Sequence, residues 1–311
     1  MKKTILLLLF TFFIHHTNIA QKINPTDLKA FQQKEDSLKK YAEIILQGLT
    51  YLERETADSL FTRTLVRSLK TSQSFHYAFD SLISISRQYA PDSSFRIFTW
   101  QLMINENKFK HHGAIQMKTD DGSLKLYPLF DKSDEMKNLE DTITSNNAWV
   151  GAIYYRIVQK KIDKNNFYSL LGFDEYGIES SRKIIDVLHF EQGKPLFGGS
   201  FFSIPNDSII AKNHNRFIME YKKGAGPKLN YDEELDMIVK EHLISQTKEP
   251  EKKWTLVGDG DYDGLKWIKG KWVFINKIFK EVTIEGNAPI PLPIKDSPEN
   301  SVDKKKKKKQ Q

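Results

Sequence analysis

The chain has no cysteine. A disulfide, a thiolate nucleophile and a lipid attached through an N-terminal cysteine are therefore all excluded, and stability has to come from packing. No segment supplies the ~20 consecutive apolar residues that a helix needs to cross a bilayer. The run at residues 5–14 is ten long and broken by Thr11. The body of the chain also lacks the positive charge that the total suggests. Subtracting Lys2, Lys3 and the six lysines at 304–309 from the formal +7 leaves −1. A nucleic-acid-binding domain carries its own basic face, so specific nucleic-acid binding is not expected. There is no repeat of fixed period, which argues against a propeller. HExxH and GxSxG are both absent, leaving no zinc-protease helix and no nucleophile elbow.

The N-terminus reads as a targeting signal. Lys2 and Lys3 precede the apolar run, His15, His16, Thr17 and Asn18 follow it, and small Ala20 stands before Gln21. That is the layout of a secretory signal peptide cut after Ala20. The expectation is an exported protein, periplasmic or secreted, without a transmembrane segment in its mature chain.

Residues 21–92 carry a helical period. Asn24 before Pro25 reads as an N-cap followed by proline at the first helical position, and Leu28, Phe31, Leu38, Tyr41, Ile45 and Leu49 make one face. A second helix is predicted over 56–70, with Leu60, Phe61, Leu65 and Leu69 inward, and a third over 75–89, stopped by Pro91. From residue 93 to 284 the period shortens. Strands are predicted at 95–104, 109–118, 124–130, 149–162, 167–173, 182–190, 196–204, 216–221, 237–243, 254–257, 265–268 and 271–278, most of them bounded by turn residues. Short links favour antiparallel hairpins. A short helix is expected near 136–139 and a polar loop at 205–215. Residues 285–311 read as a linker with Pro289, Pro291, Pro293 and Pro298, ending in a lysine tail. The fold class is thus α+β: an N-terminal helical segment, then an antiparallel β-rich domain, barrel-like or sandwich, then the tail.

Several phrases fall in a familiar order. They are the stretches 147–155 (NAWVGAIYY), 168–174 (YSLLGFD), 182–188 (RKIIDVL), 194–198 (KPLFG), 217–221 (FIMEY) and 261–264 (DYDG). Over roughly residues 95–279 the chain resembles a group of uncharacterised exported proteins of Bacteroidetes-type bacteria. The resemblance implies a shared β-rich fold and carries over no catalytic residue.

Asp259, Asp261 and Asp263, with Gly264, have the alternate-carboxylate spacing of a calcium loop. An EF-hand needs an acid at position twelve, which here is Gly270, and the flanks read as strands. An acidic hairpin turn is therefore favoured over a calcium site, and calcium is the only cofactor candidate. His111 and His112 are neighbours on a predicted strand and face opposite sides, so they cannot share an ion. Asp186 with His189, and Glu241 with His242, fail in the same way. Gly198-Gly199-Ser200 and Gly224-Ala225-Gly226 have the wrong context for a nucleophile or a phosphate loop. Among paired carboxylates, Asp174, Glu175, Asp186, Glu220 and Asp236 are candidates for an acid and a base acting on glycans. Trp149, Tyr154, Tyr155, Trp267, Trp272 and Phe274 are read as core rather than as a ligand platform. Lys304, Lys305, Lys306, Lys307, Lys308 and Lys309 form a basic cluster suited to anionic lipid or polysaccharide. The expected role is an exported, non-enzymatic binding or structural module of the cell envelope. The alternative is a carboxylate-based hydrolase acting on glycans.

Overall fold

The computed structural model describes residues 23–204 and 214–279. The signal-type N-terminus, most of the polar loop and the lysine tail lie outside the described residues. Helix α1 (Pro25–Gln47) starts as its sequence dictates, with the Asn24 side chain accepting from Asp27 N. It stops at Gly48. Helix α2 (Tyr51–Leu69) opens on a capping box between Thr50 and Glu53, five residues earlier than the apolar spacing predicts. Phe31, Leu38, Ala42 and Ile45 of α1 and Ala57, Phe61, Leu65 and Leu69 of α2 form one buried stripe. Leu28 and Leu49, assigned to the inner face by spacing, are exposed. No helix among the described residues is long and apolar enough to cross a membrane.

The third helix predicted over 75–89 does not form. Ser74–His76 is one 3-10 turn, and Ser86–Tyr89 is a strand, β1. Gln73 and Phe79 have φ of 61° and 55°, left-handed values that interrupt a helix. The cause lies in Arg96, which is fully buried. Its guanidinium donates to Ser74 O at 2.8 Å, Tyr77 O at 2.5 Å, the Tyr89 hydroxyl and the Gln116 amide oxygen. Phe75, Phe79, Tyr89 and Phe98 surround the cation. The segment is folded around a buried charge that must be satisfied, and this outweighs the helical spacing.

The remaining strands are β2 (Phe95–Asn105), β3 (Lys108–Met117), β4 (Lys125–Phe130), β5 (Thr144–Ser145), β6 (Ile153–Ile162), β7 (Asn165–Asp174), β8 (Ser180–Glu191), β9 (Lys194–Phe197), β10 (Phe202–Ser203), β11 (Phe217–Lys222), β12 (Leu229–Asp232), β13 (Met237–Ser245), β14 (Leu256–Ile268) and β15 (Lys271–Ile275). They form three sheets: β1-β2-β3-β4, then β5-β9-β8-β7-β6 with β11 also on β8, then β10-β15-β14-β13-β12. Among the described residues every strand pairing is antiparallel except β10 with β15. The predicted strand at 196–204 is split in two because Gly198 and Gly199 take φ of 95° and 140°. Residues 136–139 are not helical; a 3-10 turn at Ser133–Glu135 precedes them.

Alternation along the strands stacks the layers. On β2, Phe98 and Trp100 face the helices, while Phe95 and Ile97 face the second sheet. The second sheet is covered on both sides. Leu170, Ile184 and Leu188 join Phe95 and Ile115 in one core. Their neighbours Leu171, Ile185 and Val187 join Leu229, Ile238, Leu265 and Trp272 in the next. Each apolar side chain so buried contributes roughly 1.5–3 kcal/mol. Of the six aromatics read as core, Trp149, Tyr154 and Trp272 are fully buried, and Tyr155, Trp267 and Phe274 pack partly buried beside the third sheet.

The acidic segment 259–264 is not a hairpin turn. It lies inside β14, whose pairing with β13 runs from Met237↔Lys266 to Ser245↔Leu256, with a bulge between Glu241 and Leu243. Gly260, at φ 88°, takes up the irregularity.

Candidate functional site

A pocket of about 1440 Å³ opens where the second and third sheets meet the β3 and β4 ends of the first. His111 lines it from β3, Asp131 from just after β4, and Asp174 from the end of β7. Arg182 comes from β8, Glu220 from β11, Lys240 from β13 and Asp263 from β14. Strand alternation sorts the two adjacent histidines. His111 turns to the pocket, while His112 turns to the helices, stacks on Trp100 at 5.7 Å and sits 3.7 Å from Asp58. Burial lowers the pKa of His112 against the charge of Asp58.

Most of the charge on the wall is already matched. Lys108 pairs with Asp134 at 2.8 Å, Arg182 with Glu220 at 2.9 Å and Lys240 with Asp263 at 2.7 Å. His111 Nδ1 lies 3.2 Å from Asp131 Oδ2, and its Nε2 lies 3.5 Å from Asp174 Oδ1. The two aspartates are tuned in opposite directions. For Asp131 burial works upward, but the hydrogen bond and charge of His111 and the bonds from Ser133 prevail and hold the carboxyl well below the usual range. For Asp174 burial prevails over the charges of His111 and Arg182 and raises the carboxyl. Glu140, also on the wall, is raised by burial, with His214 opposing. Tyr176 stands half-exposed at the rim with the Arg182 guanidinium 3.2 Å from its ring centroid.

Of the five carboxylates singled out in the sequence, the fold brings Asp174 and Glu220 to this pocket. Glu175 is taken by Lys223 at 2.6 Å and Asp236 by Lys160. Asp186 is fully buried in an ion pair with Arg216 at 3.1 Å, a core element rather than a site. Asp259, Asp261 and Asp263 are engaged separately by His242, Lys277 and Lys240. Among the described residues no group of three or more metal-type ligands forms. The basic cluster at 304–309 lies outside the described residues.

Sequence reasoning missed the pairing of His111 with Asp131. The β3–β4 register aligns His112 with Phe130, which brings residue 131 beside 111, and spacing alone does not give that register. A local signal did exist. Asp131 two residues before Ser133 is an Asx-turn pattern, and Ser133 N and Oγ do bond Asp131 Oδ1.

Comparison with known proteins adds no family: no family model, no curated protein and no solved structure matches the chain.

Proposed function

We propose that the chain is an exported binding module of the cell envelope that takes a neutral, hydroxyl-rich ligand, a glycan, in this pocket. The observation that carries the reading is the pairing of charges on the wall. A large cavity whose lysines, arginine and acids are mostly matched with one another offers donors and acceptors on every side without a strong field of either sign. Such a wall suits hydroxyl groups better than a phosphate or an ammonium, and Tyr176 at the rim provides a ring edge for a sugar. Export and envelope placement are supported by the signal-type N-terminus, the resemblance to exported Bacteroidetes-type proteins and the basic tail.

Calorimetry with neutral oligosaccharides cut from envelope polysaccharide tests it. Affinity should hold within about twofold between 0.05 and 0.5 M salt, since neutral ligands are not screened. It should fall about tenfold, or 1.4 kcal/mol, in Arg182→Ala/Tyr176→Ala. Absence of binding, or binding that collapses with salt, sinks the reading. A second reading, a carboxylate-based hydrolase acting on glycans in the same pocket, is favoured by one observation. Asp131 and Asp174 flank His111 with opposite proton affinities, the arrangement that separates an acid from a base.

A further inference from the structure

Three titratable side chains stand in a row on the pocket floor. Asp131 accepts from His111 N at 2.9 Å, Ser133 N at 3.0 Å and Ser133 Oγ at 2.5 Å, and it faces His111 Nδ1 at 3.2 Å. A carboxylate so surrounded by donors fixes Nδ1–H of the ring upon itself. Nε2 therefore points the other way. It has no hydrogen-bond partner among the described residues, although His111 is only 4% exposed. What it faces is Asp174 Oδ1. The close meeting depends on Gly151, where a Cβ would sit 2.5 Å from Asp131 Oδ2 and 2.6 Å from His111 Nδ1. Asp174 Oδ1 also accepts from Tyr176 N at 2.9 Å. Oδ2 accepts from no donor among the described residues, and Asp174 lines the pocket.

We propose that Asp174 is the catalytic proton donor of the pocket, with His111 and Asp131 as positioning residues behind it, and that it protonates the bridging oxygen of a bound glycan. The proposal rests on the hydrolase reading of the pocket. Oδ1 accepts from Tyr176 N and faces His111 Nε2, so the carboxyl proton has Oδ2 left to occupy. The other charged groups acting on Asp174 are Arg182, already held by Glu220, and Asp131 itself. In the step, the proton passes from Oδ2 to the bridging oxygen. The bond from that oxygen to the anomeric carbon breaks, and its electron pair leaves with the oxygen. Water supplies a new oxygen to the carbon and returns one proton to Asp174, whose carboxylate is held meanwhile by Tyr176 N–H.

Two measurements on the full chain test this. The first needs no ligand: carboxyl ¹³C titration, with the Asp174 signal assigned by its loss in Asp174→Asn. It should titrate above the exposed aspartates and move higher still in His111→Gln, which removes the ring's charge. Titration together with the exposed aspartates overturns the proposal. The second follows reducing ends released from purified envelope polysaccharide. Asp174→Asn should lose release by about 100-fold or more, the usual range for a general acid, while binding the polysaccharide as the wild type does. His111→Gln should displace the pH profile rather than only lower its height. If the wild type binds but releases nothing, the proton-donor proposal falls and the pocket reading stands. If neither chain binds, the pocket reading fails and takes the proposal with it.

Discussion

Asp131, partly buried, and Asp186, fully buried, respond to protons in opposite ways. The pKa of Asp131 is depressed in the folded protein. Its contribution to stability is complete above the unfolded value near ~3.9 and is lost as pH falls through the lower folded value. Asp186 is raised by burial despite Arg216, so ionising it costs stability as pH rises. Chemical denaturation across pH 2–6 should therefore show an acid-side loss that is smaller in Asp131→Asn. An unchanged slope in that variant would contradict the assignment. Asp186→Ala leaves Arg216 buried without its carboxylate, although Thr142 O at 2.9 Å remains a partner. Breaking a buried pair in this way costs about 3–5 kcal/mol, readable as a lower denaturation midpoint. The site was half legible at this scale. Asp174 and Glu220 could be named because they end or punctuate apolar strands, but the partner of His111 depends on cross-strand register, which composition does not encode.

At the scale of elements, local chemistry was legible wherever it acts locally. The Asn24–Pro25 start of α1 formed as read, and the Thr50–Glu53 box fixes α2. Thr50→Ala should cost about 1 kcal/mol, a typical capping loss, with helical circular dichroism retained below the transition. The third helix failed because Arg96, far enough away in sequence to be invisible to a helical period, claims the carbonyls of Ser74 and Tyr77. The segment at 259–264 looked like a turn from its residues and became a strand through its pairing with β13. With its three aspartates each held by a different side chain, His242, Lys277 and Lys240, millimolar calcium is expected to leave the melting temperature unchanged. A rise that Asp261→Ala abolishes would restore the calcium site, since a ligand bound only to the native state stabilises it.

The described residues of the first unit, up to Ile278, are layered: helices, then three sheets, with the middle sheet covered on both faces. The α+β class and the antiparallel majority were legible from the change of period near residue 93. The stacking order was not, because consecutive apolar pairs such as Leu170-Leu171 and Ile184-Ile185 reveal double burial without saying which layer lies on which side. The tail makes a prediction for the intact chain. Six contiguous lysines at 304–309 should hold it to anionic vesicles in low salt, each worth at most ~1 kcal/mol. Co-sedimentation should fade as screening shortens from ~10 Å at 0.1 M to ~3 Å at 1 M. If a chain truncated after Asp303 sediments equally well, the tail is not the anchor.

The parallel pairing of β10 with β15, and the bond from Trp272 Nε1 to Ser169 Oγ across 103 residues, set an order of events. The chain is made from its N-terminus, so Val158, Leu171, Ile185 and Val187 leave the ribosome long before Trp272 arrives to cover them. Contacts this distant in sequence close slowly. Until β15 is in place, the cover that Leu229, Ile238 and Leu265 give the middle sheet lacks Trp272, and a chain ending before Lys271 should clump where the full one stays clear. β15 acts as a latch on the middle sheet, and the time before it closes is when an escorting chaperone has most to hold.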